Sequence, residues 1–438
     1  MAFGIWSPGS ESFHARFEIS STISSPSTVT VGLESSVLLV HYQPRTKRLV
    51  LFPDILFVSM ILMRFLIFFL LTLSCVCADF PWPDKSGPNK DGHVGAAHVK
   101  GVVTSWDEAS GKHIAWKTAL PEEGHSTPVI DTTSLWFTSA SKDGAKQYVD
   151  VVDRKTGKLI HHHLVFENED PEPLGNGVNN YAAPSCVIDN TGLYVHFGTY
   201  GTTKLNPKTL EKLWERRDIN ARHFRGPGSS PVLYKDRLIL TMDGIDQQYV
   251  AALNKDTGKT IWKTNRTTDY GDLDKDGKPE REGDNRKAYG TPSIVSVAGK
   301  DQLISVGSRA MFGYDPETGK ELWTIPHANF NAAVRPVSRD GMLFVNTGSS
   351  RAHLLAIRLD DKMQGDISNS HVVWDRAKRN SRFSGHVLVN DRIIQSTEGG
   401  IVSSIDQKSG KQIWSDRLPG TYMATPIVVG DLVYYANE

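Results

Sequence analysis

The chain reads as an all-β protein, a β-propeller of four-stranded antiparallel blades, and three observations predict it. A nine-residue phrase, Asp-x-x-Thr-Gly-Lys-x-x-Trp, recurs along the sequence. Each copy follows a short strand of alternating character. An aligned proline opens the innermost strand of nearly every repeat. The phrase is cleanest at Asp315 to Trp323 and at Asp406 to Trp414, where Ser409 replaces Thr. Asn254 to Trp262 begins with Asn, Asn206 to Trp214 has Leu210 and Glu211 for Gly-Lys, and Asp153 to His161 ends in His. Ser110, Gly111, Lys112 and Trp116 form an earlier copy with one extra residue, and Val372, Val373 and Trp374 end a degenerate one. The anchors at 116, 161, 214, 262, 323, 374 and 414 are 45, 53, 48, 61, 51 and 40 residues apart. That is the period of a propeller blade.

Each element of the repeat has a physical reason. Tyr249 to Leu253 and Ile401 to Ile405 alternate as half-buried strands do. The Asp or Asn that follows opens a tight turn, and Gly supplies the positive φ that closes it. The residues leading to Trp form the outer strand, with Trp as a large apolar plug. Upstream lie two inner strands, such as Pro231 to Leu233 and Leu238 to Leu240 around the turn Tyr234-Lys235-Asp236-Arg237. One blade cannot bury its own faces, so stability must come from its neighbours. The phrase therefore reads as turn and packing rather than chemistry.

Six full units lie between Pro128 and Trp414, with a partial blade at each end. Pro426 to Val428 and Leu432 to Tyr435 begin a blade, and His113 to Ala119 supplies a Trp-bearing outer strand. The expectation is a truncated eight-bladed ring that would continue by about one blade.

Lys+Arg and Asp+Glu balance at 49 each, which argues against nucleic acid or an anionic membrane surface as partner. The first 78 residues read differently. Met63-Arg64, the apolar run Phe65 to Leu71, and Val76-x-Ala78 before Asp79 form a secretory signal peptide, 63–78. Residues 1–62 then read as a non-native upstream extension, 79–100 as a lead-in and 101–438 as the propeller. The alternative is an uncleaved membrane anchor starting at about Leu49. The segment before Cys75 is a poor lipoprotein box. With Cys75 and Cys77 in the leader, Cys186 stands alone, as a buried structural thiol.

The phrase resembles the repeat of the pyrroloquinoline-quinone-like β-propellers. Trp82 with Gly87-Pro88-Asn89-Lys90-Asp91-Gly92 is similar to the lead-in of their exported bacterial members. His196 to Gly201 and Gly226 to Pro231 resemble the same subgroup. The resemblance implies a periplasmic or extracellular protein. It extends to quinoprotein dehydrogenases and to the propeller lipoprotein of outer-membrane barrel assembly, so it implies a protein partner as readily as an enzyme. Quinoprotein dehydrogenases need an adjacent-cysteine disulfide, a Glu/Asn calcium site and a catalytic Asp, none of which maps onto this chain. The quinone is therefore not expected, and no catalytic residue is assigned. The reading is a scaffold or binding module, with a quinone-dependent dehydrogenase or sugar-directed enzyme as the alternative.

Ligands of propellers meet the loops that precede the innermost strands. Aligned on the proline, these bring His125, Tyr181, Tyr289 and Phe383 to a funnel mouth, with Arg222, His223 and Arg225 in one loop. They are the candidates for a protein partner or a small ligand. A separate candidate is calcium. Asp272, Asp274 and Asp276 alternate, Gly277 stands sixth and the Lys278 carbonyl follows, as in the first half of a calcium loop. The twelfth position is Gly283 instead of the bidentate Glu. In His161-His162-His163, His161 simply takes the Trp position.

Overall fold

The computed structural model describes residues 3–6, 81–175, 177–349 and 351–437. The expected leader, 63–78, lies outside them. Six sheets have the order inner to outer that the repeats predict. Blade 1 is Val129–Ile130, Ser134–Ala140, Lys146–Asp153 and Leu159–Glu167. Blades 2 to 6 follow at 187–216, 232–265, 293–326, 337–376 and 386–417. Blade 4 gains a parallel edge strand, Gly365–Asp366, from the long loop of blade 5. Neighbouring blades bury each other: Val232, Ile239 and Val250 of blade 3 pack with Leu303, Phe312 and Tyr314 of blade 4.

The repeated phrase builds its turn as expected. Asp406 Oδ1 accepts the Ser409 backbone N–H at 2.8 Å and its hydroxyl at 2.6 Å, and Gly410 N–H closes onto Asp406 O at 2.9 Å. Gly410 has φ 67°, a conformation that favours glycine.

The tryptophan does more than fill a gap. It reaches the turn of the next blade, donates its indole N–H to the carbonyl one residue after that blade's Asp or Asn, and stacks on its Gly. Trp214 bonds Lys255 O at 2.9 Å and covers Gly258. Trp262 bonds Pro316 O at 3.2 Å over Gly319, and Trp374 bonds Gln407 O at 2.9 Å over Gly410. A Cβ added to Gly258 would lie 2.7 Å from the Trp214 ring. The phrase is thus a lock between blades. Its two halves are lost together: His161 of blade 1 faces blade 2, whose turn has Leu210 for Gly. Blade 5 also lacks the Gly, and Trp323 of blade 4 turns into its own sheet, over Gly313 with its N–H on Gln302 Oε1 at 2.7 Å.

A bulge interrupts each outer strand just before the Trp position and, in every blade but the fourth, where Leu322 packs on the core, turns the preceding residue outward. This explains a rim of exposed apolar side chains: Ile160, Leu213, Ile261, Val373 and Ile413.

A seventh sheet contains Ile427–Val429, Leu432–Ala436 and Phe3–Trp6, the last antiparallel to Leu432–Ala436. Residues 113–119 were expected as an outer strand but form no ladder. Trp116 still occupies the lock position on blade 1, with its indole on Arg154 O at 3.1 Å and its ring against Gly157.

Candidate functional site

The innermost strands start at a ring of hydroxyls. Thr127 N–H donates to Ser185 Oγ at 2.8 Å, Ser185 N–H to Ser230 Oγ at 2.9 Å, and Ser230 N–H to Thr291 Oγ1 at 3.0 Å. Gly385 N–H donates to Thr425 Oγ1 at 3.1 Å. Each bond ties the start of one blade to the next, so the loops that precede the prolines converge on the channel mouth.

The channel itself is occupied by the lead-in. Trp82 and Ile130 exchange backbone bonds of 3.2 and 2.8 Å, and Ile188 N–H donates to Pro83 O at 3.0 Å. Lys90 Nζ donates to Leu233 O at 3.2 Å, and His93 Nε2 lies 2.8 Å from Leu388 O. Val94 N–H donates to Val428 O at 2.8 Å, and Val428 N–H to Gly92 O at 2.9 Å. Each of these partners sits on an innermost strand, whose outward-facing partner is the next strand of its blade and whose inner edge would otherwise be unpaired. The Trp-x-x-x-x-Gly spacing has a direct cause: Gly87, with φ 82°, lies under the Trp82 ring, where a Cβ would come within 2.7 Å. A buried ion pair, Asp84 with Arg335 at 2.5 Å, fixes the plug to blade 5.

Beside this plug is a hollow of ≈ 610 Å³. Its walls come from the loops of blades 1, 2, 5 and 6 and the seventh sheet, and the plug supplies Trp82, Lys85 and Lys90. His125 and Phe383 line it as expected, together with Ala333 and Met423 at the equivalent position three residues before the inner strand opens. Sequence reasoning missed its plug residues and Arg335, because nothing in the lead-in marks it as part of a channel wall. The Lys85 amine is pushed down to about 8, first by burial and then by the Arg335 charge. Arg335 Nη2 and His386 Nε2 are buried here without a hydrogen-bond partner among the described residues.

The remaining mouth candidates gather elsewhere, between blades 2, 3 and 4. Arg225 makes a two-pronged bond to Asp284, 2.6 Å on each side, and Arg222 is held by Glu172 at 2.9 Å. Tyr181 donates its hydroxyl to Glu172 O at 3.0 Å, and Tyr289 packs against Gly228. His223 is buried and its Nε2 accepts the Thr199 N–H at 3.2 Å. Its Nδ1 therefore carries the ring proton and faces Lys287 Nζ at 3.4 Å. Burial lowers the Lys287 amine to about 7. The two groups of candidates thus separate: His125 and Phe383 line the hollow, while Tyr181, Arg222, His223, Arg225 and Tyr289 gather in a second polar cluster, with Arg222 at its exposed edge.

In the acidic loop, Arg286 grips Asp272 through contacts of 2.6 to 3.2 Å. Asp274 Oδ1 accepts the backbone N–H groups of Asp276 and Lys278 at 2.9 and 2.8 Å. Among the described residues no three His, Cys, Asp or Glu side chains converge as a metal site. Cys186 is buried and its thiol is pushed up to about 12. A quinone held as in the dehydrogenases finds no matching set here: the described residues offer no cysteine pair, and Trp82 to Val94 fill the channel axis.

Blade order, inter-blade locks and a plugged channel define a pyrroloquinoline-quinone-like β-propeller. A family model described as outer membrane protein assembly factor BamB matches residues 84–237, 246–364 and 364–438. The chain belongs to that family. No curated protein matches it significantly. Among solved structures, BamB from Moraxella catarrhalis is similar at TM-score 0.54 and 16% identity, over 74% of this chain and 88% of that one. A europium-containing methanol dehydrogenase gives TM-score 0.46 and 11% identity over 80% and 87%. At 16% identity the likeness to that BamB is one of fold.

Proposed function

We propose that the protein is an exported cell-envelope propeller that binds a protein partner at its funnel mouth and works as a scaffold without catalysis of its own. One observation carries this reading. The channel axis is filled by the chain's own lead-in, while a hollow with Trp82, Phe383 and Met423 in its walls stays open beside it. Such a concavity suits an apolar anchor with a few polar contacts. The family's name supports the reading, since the matching model is that of an outer-membrane assembly factor. The signal-like segment 63–78 supports an exported protein, periplasmic or extracellular. No helix among the described residues is long and apolar enough to cross a membrane.

The test is site-specific photo-crosslinking in the native envelope. A photoreactive residue at Phe383 should yield a defined adduct that the same residue at the outer-rim Ile413 does not give. Identical adduct patterns from both positions would sink the proposal. The enzyme alternative is checked separately: protein incubated with the quinone and Ca²⁺ should emerge from gel filtration without a bound chromophore.

A further inference from the structure

The hollow contains charge that the fold does not use. Lys85 Nζ lines it and makes no hydrogen bond or ion pair among those of the described residues, and its amine is perturbed chiefly by burial. Arg335, 7% exposed, spends Nη1 on Asp84 and Nε on Ser293 Oγ at 3.3 Å, yet leaves Nη2 without a partner. Lys90, the third cation, is bonded to Leu233 O. The carboxylate in the lining, Asp91, instead caps the His93 backbone N–H at 3.0 Å. Asp84 offsets one charge of the group only. A buried guanidinium N–H left unfilled is costly for folding alone, and the half-buried Lys85 adds a second unpaired positive charge near it. Both donors point to an anion, and a guanidinium with an ammonium matches a carboxylate.

The shape narrows the source. The plug bonds inner strand edges along the channel and forms one side of the hollow, so a chain end suits it better than a segment threaded through. The end that carries negative charge is the C-terminus. Phe383, Met423 and Ile427 offer apolar walls for the preceding side chains.

We propose that the hollow captures the C-terminal carboxylate of an apolar peptide segment of a protein partner, with Lys85 and Arg335 Nη2 as the anion-binding pair. The proposal rests on the binding reading above and gives that site its chemistry. Lys85 positions the ligand and does nothing for the fold, so function and stability should separate at this residue.

The experiment uses the peptide acetyl-Leu-Leu-Phe as free acid and as C-terminal amide, titrated by calorimetry. The acid should bind about tenfold or more tightly than the amide, as expected for losing a charged hydrogen bond. Lys85→Met should erase that preference while leaving the melting temperature unchanged or higher. Lys85→Gln serves as a second variant should the first fail to fold. Equal binding of acid and amide, or an undiminished preference in both variants, overturns the proposal. The crosslink from Phe383 keeps the two readings apart: its persistence in wild type alongside equal binding of acid and amide would reject the carboxylate site and retain the docking surface.

Discussion

Buried charge at single residues sets how this protein responds to pH and to substitution. Arg266 and Asp243 are each 1% exposed at the side chain and are joined by bonds of 3.0 and 2.7 Å, with Ser305 Oγ on the same guanidinium at 2.9 Å. Asp243→Ala would strand the guanidinium, so we expect a loss of about 3–5 kcal/mol in urea denaturation. Histidines add a pH dependence. Burial lowers His196 and His386 to about 4, and His223 falls well below its ordinary value through burial and the neighbouring Lys287. A depressed folded-state value means that the unfolded chain takes up protons first as pH falls below about 6.5, and stability drops until the folded value is reached near 4. Lys287 acts in the same direction over pH 7 to 10.5, where the unfolded chain is protonated and the folded amine is not. Melting temperature should therefore fall steadily from pH 8 to pH 4.5. A flat profile would mean that these groups are solvated.

At the scale of the element, the inter-blade lock accounts for both the regular repeats and their exceptions. The turn was legible in the sequence because Asp, Thr and Gly each have a local job. The lock was not, since it joins a Trp to a Gly in the following repeat, although the joint loss at His161 and Leu210 was its visible trace. The parallel strand Gly365–Asp366 was also illegible, as two residues carry no periodicity. The coupling makes a clear expectation. His161→Trp alone meets the Leu210 side chain, Leu210→Gly alone removes a buried group, and the double variant rebuilds the lock. A double-mutant cycle by thermal unfolding should give a favourable coupling of about 0.5–3 kcal/mol. The acidic loop is another local element, and there the sequence showed alternating carboxylates but not Arg286. Calcium must displace that guanidinium from Asp272, so wild type should bind only at about millimolar concentration or above, and Arg286→Gln should bind more tightly. Calorimetry showing equal heats in the two proteins would remove the loop from consideration.

For the whole molecule, the decisive contacts run through the channel. Blades built from successive segments pack on their sequence neighbours, and such an array needs something to hold distant members together. Trp82 to Val94 does this by bonding innermost strands that begin at Val129 and extend to Val429, with Asp84 clamped by Arg335 across 251 residues. The sequence showed the segment as a lead-in with a Trp and two Gly. It could not show the destination, because the partners are backbone groups on strand edges and leave no pattern in side chains. The two ends of the Asp84–Arg335 pair supply the test. Asp84→Ala leaves a buried cation that already has one empty N–H, and should cost about 3–5 kcal/mol. Arg335→Ala should cost a similar amount, and the double variant less than the sum, because neither charge is then left alone. A chain lacking residues 79–94 should melt earlier than either and recover when a synthetic 81–94 peptide is added, since the inner edges it covers are formed by the blades themselves. An unchanged melting temperature after that deletion would show that the blades hold their ring without the plug, and that the bonds along Trp82 to Val94 follow the fold instead of securing it.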